Sequence, residues 1–155
     1  MIGISSYNAG QLVTPLEGPK HDVAALKAIL VKDWEFSQDS ITTLQDGAAT
    51  RANIMAALER LAKSARAGDY VFVYYSGHGT SAYDPHLAQR LGLGLQPYTG
   101  ALVPADVRAG SVDEVSERLV IGKRDLQPVF FRMSAVAEVF VVFDTCYSGM
   151  TARGG

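Results

Sequence analysis

Cysteine is nearly absent from this sequence: a single residue, Cys146, stands in a chain of 155. One cysteine cannot form a disulfide within the chain, which excludes the small disulfide-stabilised secreted domains. The composition fits a reducing compartment, and we expect a cytoplasmic protein. A thiol without a partner also fits a reactive site.

The sequence lacks the features of several other protein classes. No apolar run approaches the roughly 20 residues of a membrane helix, and the N-terminus has no signal-peptide pattern. A net charge of −2 provides no basic surface for nucleic acid or lipid. The three histidines and one cysteine show no C-x-x-C or H-E-x-x-H spacing, and no phosphate-binding G-K-[ST] motif is present. We therefore expect no metal, no cofactor, no nucleic acid and no membrane partner.

The sequence does contain two apolar segments that each end in a residue with catalytic chemistry. Residues 139–149 (VFVVFDTCYSG) are continuously apolar up to Asp144, which predicts a parallel strand buried on both faces that leads to Cys146. Residues 70–79 (YVFVYYSGHG) predict a strand that ends at Ser76 and is followed by His78 between two glycines. Ligands bind beyond the carboxyl ends of parallel strands, so we expect these residues to share one crevice.

The rest of the chain predicts alternating strands and helices. A loop over residues 11–20 precedes a helix with Asp22 in its first turn, where its carboxylate could simply complement the helix dipole. A strand is predicted over residues 40–44, and the next helix begins after an N-cap at Thr50 and ends at Gly68. This order indicates one α/β domain with a parallel sheet and right-handed crossovers.

Two loops and a short helix are predicted between the two motif segments. Residues 80–100 are interpreted as a loop over the site, and residues 104–117 as a polar loop. Residues 125–133 predict a short helix with Pro128 in its first turn. His86, within the first loop, is a weaker catalytic candidate than His78 because it does not follow a strand.

Cys146 and His78 have complementary chemistry for acyl transfer. A thiol is a strong nucleophile as the thiolate, and a nearby imidazole can stabilise that thiolate and protonate a leaving amine. The alternative is that Cys146 is a small buried hydrophobe and His78 a turn residue. Their joint position after two strands favours catalysis.

The motifs Y-S-G-H-G and D-x-C-x-S-G resemble those of the caspase-like cysteine peptidases, specifically the metacaspases and bacterial orthocaspases. Residues 18–23 are similar to the first-helix motif of that family, and L-V-P-A-D at 102–106 resembles its L-V-P-x-D. The animal-caspase signature is not met, since Tyr147 and Ser148 follow the cysteine. The resemblance implies a three-layer caspase-like α/β fold over residues 1–155, with a mostly parallel sheet and helices on both faces, as a p20-type catalytic domain.

The resemblance also implies roles for individual residues. Cys146 would attack the scissile carbonyl, His78 would transfer protons, and the N–H groups of Gly79 and Cys146 would hold the oxyanion. A paired-carboxylate pocket would accept a substrate Arg or Lys. Three polar residues are implied to line that pocket: Asp22, Ser76 and Asp144. On the residues alone, Asp144 could instead cap the turn after its strand.

Two features of the family are missing from this sequence. The acidic calcium cluster should fall near residues 121–126, where the chain has Gly-Lys-Arg-Asp, so calcium activation is not expected. The later strands and the p10-type region do not follow Gly155, so we expect a p10-type fragment or second chain to complete the sheet, with Arg153 as a candidate processing site. The alternative function is a non-catalytic module that binds a peptide or partner in the same crevice.

Overall fold

The computed structural model describes residues 1–9, 13–81 and 99–145. The predicted nucleophile Cys146, the candidate processing site Arg153 and the weaker candidate His86 lie outside these residues. No helix in the described ranges is long and apolar enough to cross a membrane. The strands and α-helices of the described part are β1 (Ile2–Gly3), α1 (Gly18–Asp33), β2 (Leu44–Gln45), α2 (Arg51–Ser64), β3 (Tyr70–Ser76), β4 (Gly79–Ser81), β5 (Gly100–Leu102), α3 (Val112–Arg118), β6 (Val120–Ile121), α4 (Gln127–Ser134) and β7 (Glu138–Asp144).

Two sheets organise the chain. The main sheet has the order β2-β1-β3-β7, and all of its strands run parallel. Its longest pairing joins β3 to β7 over their full lengths and places Ser76 opposite Asp144. The smaller sheet, β4-β5-β6, is antiparallel and follows directly from the end of β3.

Helices cover both faces of the main sheet. Side chains alternate along a strand, so Phe72 and Tyr75 of β3 point to opposite faces. Trp34, directly after α1, meets the Phe72 ring edge-on on the first face. On the second face, Leu58 of α2 and Met133 of α4 join Tyr75 in the buried core. The predicted α/β class, with a mostly parallel sheet between helices, is confirmed.

Strand β7 is covered on one face rather than on two. Val139, Val141 and Phe143 pack against the core, whereas Phe140 and Val142 on the opposite face are 45% and 43% exposed. The prediction of a strand buried on both faces is therefore wrong for the described part. The reason is that α1 packs over β1 and β3 and leaves this face of β7 open.

Helix α1 begins earlier than its apolar pattern indicates. It starts at Gly18 with Pro19 in its first turn, a position that tolerates proline because the first amide groups of a helix have no partner within it. The prediction of a loop up to residue 20 and of Asp22 in the first turn is therefore wrong. A side chain on Gly3 would lie 2.7 Å from the Val23 Cγ2 atom, so glycine permits α1 to pack closely on β1.

Helix α2 follows the predicted pattern at its start but not at its end. The Thr50 hydroxyl accepts a hydrogen bond from the Asn53 amide, which confirms the N-cap. Ile54 and Leu58 form the buried stripe. The helix ends at Ser64, so the prediction that Gly68 ends it is wrong. Gly68 has a φ of 88° in the turn that follows.

Three further segments differ from the predicted elements. The strand expected at residues 40–44 is at Leu44–Gln45, because residues 38–40 form a 3₁₀ turn. The ends of the predicted loop at residues 80–100 belong to β4 and β5. The polar segment 104–117 contains the start of α3, which a capping box between Ser111 and Glu114 initiates. The predicted short helix with Pro128 is confirmed as α4, which begins two residues later and ends one residue later than expected.

Candidate active site

His78 lies where the two sheets join, between the end of β3 and the start of β4. The pairing of β3 with β7 puts Ser76 beside Asp144, and the Gly77 amide donates to the Asp144 carbonyl oxygen at 3.4 Å. The predicted juxtaposition of these two strand ends is therefore present in the described residues. Both strands deliver their polar residues to the same carboxyl edge of the sheet.

The imidazole of His78 is held at its far nitrogen by a backbone carbonyl. Its Nε2 atom lies 2.7 Å from the Thr14 carbonyl oxygen. A carbonyl oxygen can only accept, so Nε2 carries the proton in this contact and Nδ1 is the nitrogen that can take a proton from a thiol. The Tyr7 ring contacts the imidazole at a centroid distance of 5.3 Å and an interplanar angle of 52°.

The backbone of His78 is fixed by two tyrosine hydroxyls. Its amide donates to the Tyr7 hydroxyl at 2.8 Å, and the Tyr75 hydroxyl donates to its carbonyl oxygen at 2.7 Å. The Tyr75 hydroxyl also lies 3.0 Å from the Val103 carbonyl oxygen. Burial raises the pKa of Tyr7 to about 12 and the pKa of Tyr75 well above its ordinary value. Both phenols therefore remain neutral in physiological conditions.

Gly79 is oriented by the first pairing of the smaller sheet. It lies opposite Leu102, and the Val103 amide donates to the His78 carbonyl oxygen at 3.0 Å. In an antiparallel ladder, a bond at that position makes Gly79 and Leu102 a non-hydrogen-bonded pair. The Gly79 N–H therefore points away from β5.

Asp22, Ser76 and Asp144 form an acidic cluster at the carboxyl edge of the sheet. The Ser76 hydroxyl donates to Asp22 Oδ2 at 3.1 Å, and Ser76 and Asp144 are register partners on the same sheet face. Burial raises the pKa of Tyr74, and the negative charges of Asp144 and Asp22 raise it further. Neither carboxylate forms an ion pair with another residue of ranges 1–9, 13–81 and 99–145. The cluster can accept a cationic side chain.

The segment where a calcium cluster was considered has a different arrangement. Asp125 forms ion pairs with Arg51 at 2.9 Å and Arg124 at 3.1 Å, and it accepts a hydrogen bond from the Ile121 amide at 2.8 Å. Among the described residues, no group of three acidic, histidine or cysteine side chains is placed to hold a metal ion.

Three groups around His78 were not identified from the sequence: the Thr14 carbonyl and the hydroxyls of Tyr7 and Tyr75. Thr14 acts through its backbone, which any residue type would supply, so no sequence signal exists for it. Tyr75 lies in a predicted buried strand, where a polar hydroxyl that needs a partner was the available signal. Tyr7 lies in an irregular segment with no periodicity to identify its role.

Comparisons with known proteins agree with the motif resemblance. A family model described as "Metacaspase, peptidase C14 domain" matches residues 1–153. Metacaspase-1A of Aspergillus niger is 30% identical over 96% of this chain and 35% of its own length. Metacaspase-7 of Arabidopsis thaliana is 30% identical over 86% of this chain and 31% of its own length.

A solved structure extends the comparison to the fold. A protein from Geobacter sulfurreducens superposes with a TM-score of 0.69 at 23% sequence identity, covering 95% of this chain and 49% of that one. The chain thus spans about a third of the length of the curated relatives it matches.

Proposed function

Because the chain belongs to the metacaspase family of peptidase C14 domains, we propose that it is the p20-type catalytic unit of a cysteine endopeptidase that cleaves after Arg or Lys. The observation that carries this proposal is the acidic cluster of Asp22, Ser76 and Asp144 at the same sheet edge as His78. The cluster supplies the charge that recognises a basic substrate residue, and His78 supplies the proton transfer. The substrate is a peptide or protein.

In this mechanism, Cys146 and His78 act as a dyad. His78 Nδ1 takes the thiol proton, and the thiolate Sγ attacks the scissile carbonyl carbon. The protonated imidazole then donates that proton to the leaving amine, and water hydrolyses the thioester with His78 as its base. The sequence separation is compatible with this dyad. Cys146 follows Asp144 by two positions, and two residues of chain span at most about 7 Å.

The oxyanion of each tetrahedral intermediate needs backbone donors. The Gly79 N–H, which points away from β5, is one donor, and the Cys146 N–H is the other. Loss of one such donor in a comparable site costs about 10² to 10³ in rate. The Thr14 carbonyl completes the site by keeping the Nε2 proton in place while Nδ1 exchanges its own.

Specificity follows from the sign of the charge in the pocket. A guanidinium that meets two carboxylates gains charge-assisted hydrogen bonds worth about 1.5 to 3 kcal/mol each. A substrate aspartate in the same place meets like charges and no donor. The planar guanidinium can engage both carboxylates, so Arg is preferred to Lys.

We also propose that a p10-type fragment or second chain completes the sheet beside β7. In the described residues, β7 pairs only with β3, and Phe140 and Val142 stand exposed on its open face. In the described residues, the backbone edge of β7 away from β3 has no strand partner, and such an edge is a template for pairing with another strand. Elements joined to that strand would cover Phe140 and Val142. Arg153, in the segment T-A-R-G-G, is a candidate site for cleavage by the enzyme itself.

The enzyme is proposed to act without calcium or another cofactor, and in the cytoplasm. Asp125 is already neutralised by Arg51 and Arg124, so the segment that could correspond to a calcium cluster offers no net negative charge. The single cysteine fits a reducing compartment, in which the catalytic thiol stays reduced.

The test compares Cys146→Ala and His78→Ala with the wild-type protein on fluorogenic peptides that carry Arg or Lys before the scissile bond. Both variants should lose hydrolysis by orders of magnitude while keeping the wild-type melting temperature. His21→Ala is the matched control, because His21 is exposed on α1. Hydrolysis by Cys146→Ala at the wild-type rate would refute the mechanism.

A labelling assay separates the enzyme from a non-catalytic peptide-binding module. In an activated dyad, iodoacetamide should label Cys146 much faster than a free thiol, and His78→Ala should remove the acceleration. A slow reaction that His78→Ala leaves unchanged would favour the binding module.

A further inference from the structure

The two tyrosine hydroxyls beside His78 bind the two polar groups of its backbone. The His78 amide donates to the Tyr7 hydroxyl at 2.8 Å. The Tyr7 and Tyr75 hydroxyls also influence each other's pKa, which shows that they interact electrostatically. The Tyr75 hydroxyl in turn donates to the His78 carbonyl oxygen at 2.7 Å. The Tyr75 hydroxyl has one proton, which it shares between the His78 and Val103 carbonyl oxygens at 2.7 and 3.0 Å.

These two hydroxyl contacts require that Gly77, the residue before His78, has no side chain. A Cβ atom on Gly77 would lie 2.8 Å from the Tyr75 hydroxyl oxygen and 2.9 Å from the Tyr7 hydroxyl oxygen. Both distances are well inside van der Waals contact. Glycine at this position therefore lets the two hydroxyls reach one peptide segment together.

A device that restrains this segment has a physical purpose. His78 stands between two glycines, whose backbones have more conformational freedom than those of other residues. The two hydroxyls fix both the N–H and the C=O of His78, so they also fix the direction of the Cα–Cβ bond that carries the imidazole. Together with the Thr14 carbonyl at Nε2, they restrain the imidazole at its base and at its tip.

Neither hydroxyl is placed to react with substrate. Tyr75 is fully buried, and its hydroxyl lies between two backbone carbonyls. Burial raises the pKa values of Tyr7 and Tyr75, so neither phenol ionises near neutral pH. We propose that Tyr7 and Tyr75 are positioning residues that hold the His78 imidazole in the orientation required for proton transfer with Cys146. This inference rests on the proposed function of the dyad.

The test uses Tyr7→Phe, Tyr75→Phe and the double variant, which remove hydroxyls but keep the rings. Tyr70→Phe is the matched control, because Tyr70 lies on the same strand as Tyr75 and is 67% exposed. Active sites are counted with an irreversible thiol reagent, and kcat and KM are measured per counted site. Each single variant should lower kcat about tenfold with KM unchanged, because a misdirected imidazole affects proton transfer and not substrate binding.

The double variant tests whether the two hydroxyls act through one shared restraint on His78. Since both bind the backbone of the same residue, the double variant should lose about as much kcat as the more impaired single variant, far less than the product of the two losses. A purely structural role would reduce the number of counted sites and leave kcat per site unchanged. Gly77→Ala should reproduce the kcat loss, because its Cβ displaces both hydroxyls.

The outcomes separate this inference from the proposed function. If the wild-type protein is active, His78→Ala is inactive, and the phenylalanine variants match wild-type kcat per site, the positioning role is wrong and the dyad stands. Losses that multiply in the double variant would refute the shared restraint on His78. If the wild-type protein neither cleaves basic peptides nor shows thiol labelling that depends on His78, both the dyad and the positioning role are wrong.

Discussion

The side chains of Ser76 and Asp22 share a hydrogen bond of 3.1 Å, from the serine Oγ to the carboxylate Oδ2, across 54 positions of the chain. This bond joins the end of β3 to the second turn of α1. The bond directs the Asp22 carboxylate to the sheet edge where Asp144 lies, which the position of Asp22 in a helix does not predict. Two carboxylates that share a site repel each other, and a bound cation relieves that repulsion.

The first prediction concerns substrate charge. Asp22→Asn and Asp144→Asn should each lower kcat/KM for an Arg peptide by about ten- to a hundredfold, which corresponds to the loss of one charge-assisted hydrogen bond. The wild-type enzyme should prefer Arg to Asp before the scissile bond by at least about 10³-fold. The measurement is hydrolysis of otherwise identical fluorogenic peptides that carry Arg, Lys or Asp.

Two comparisons make this prediction specific. Asp39→Asn, an exposed residue of the 3₁₀ turn, changes the net charge equally and should leave the preference unaltered. Ser76→Ala keeps both carboxylates and should give a smaller loss than Asp22→Asn. Efficient cleavage after Asp, or an Asp144→Asn enzyme with an unchanged preference for Arg, would contradict the pocket assignment.

The parts of the fold that were predicted from sequence are those that one local signal determines. Strand β3 and helix α2 have a long apolar run and a clear stripe, and both were found. Helix α3 was missed because its polar residues outnumber its apolar ones, although the Ser111–Glu114 capping box marks its start. Whether both faces of β7 are covered depends on where α1 packs, and no pattern within β7 itself contains that information.

The candidate site likewise contains residues that a local sequence signal marks and residues that only the tertiary structure reveals. Residues with a distinctive side chain at a strand end, such as His78 and Asp144, could be proposed as site residues from the sequence because residue type and position coincide. The Thr14 carbonyl could not, since its contribution does not depend on its side chain. The hydroxyl of Tyr7 acts on the His78 backbone over 71 positions, a contact that only the tertiary structure establishes.

A second prediction concerns the open face of β7. Phe140→Lys and Val142→Lys should weaken association with the p10-type fragment, because each would put a charge at an interface that is apolar here. Val112→Lys, at a 45% exposed residue of α3, is the control and should have no effect. The measurement is size-exclusion chromatography with intact-mass analysis of the mature enzyme. A fully active, monomeric 155-residue chain with no break near Arg153 would contradict both the partner and the processing site.

A third prediction concerns calcium. Chelation with EGTA and addition of millimolar calcium should both leave hydrolysis unchanged, because Asp125 already has two arginine partners. Asp125→Asn should lower the melting temperature, since it leaves Arg51 and Arg124 without their shared carboxylate, but should not alter the response to calcium. Stimulation by calcium that Asp125→Asn abolishes would show that this carboxylate binds the ion.

The last prediction concerns stability at alkaline pH. The folded state raises the pKa of Tyr7 from 10.0 to about 12 through burial. A raised pKa means that the folded chain retains a proton that the unfolded chain releases, so the contribution of Tyr7 to stability is complete below about pH 10 and is lost as the pH rises toward 12. A shift from 10.0 to about 12 corresponds to a total loss of roughly 3 kcal/mol, of which about half falls between pH 9 and pH 11. Urea unfolding at about pH 9 and about pH 11 should therefore show a steep decrease in the free energy of unfolding for the wild-type protein.

Tyr7→Phe should show a shallower decrease but not a flat one, because burial raises the pKa of Tyr75 as well. Tyr70→Phe, at an exposed position, should follow the wild-type curve. If the stability of Tyr7→Phe decreases as steeply as that of the wild-type protein, the Tyr7 hydroxyl is not buried against His78, and the positioning role proposed for Tyr7 is wrong as well.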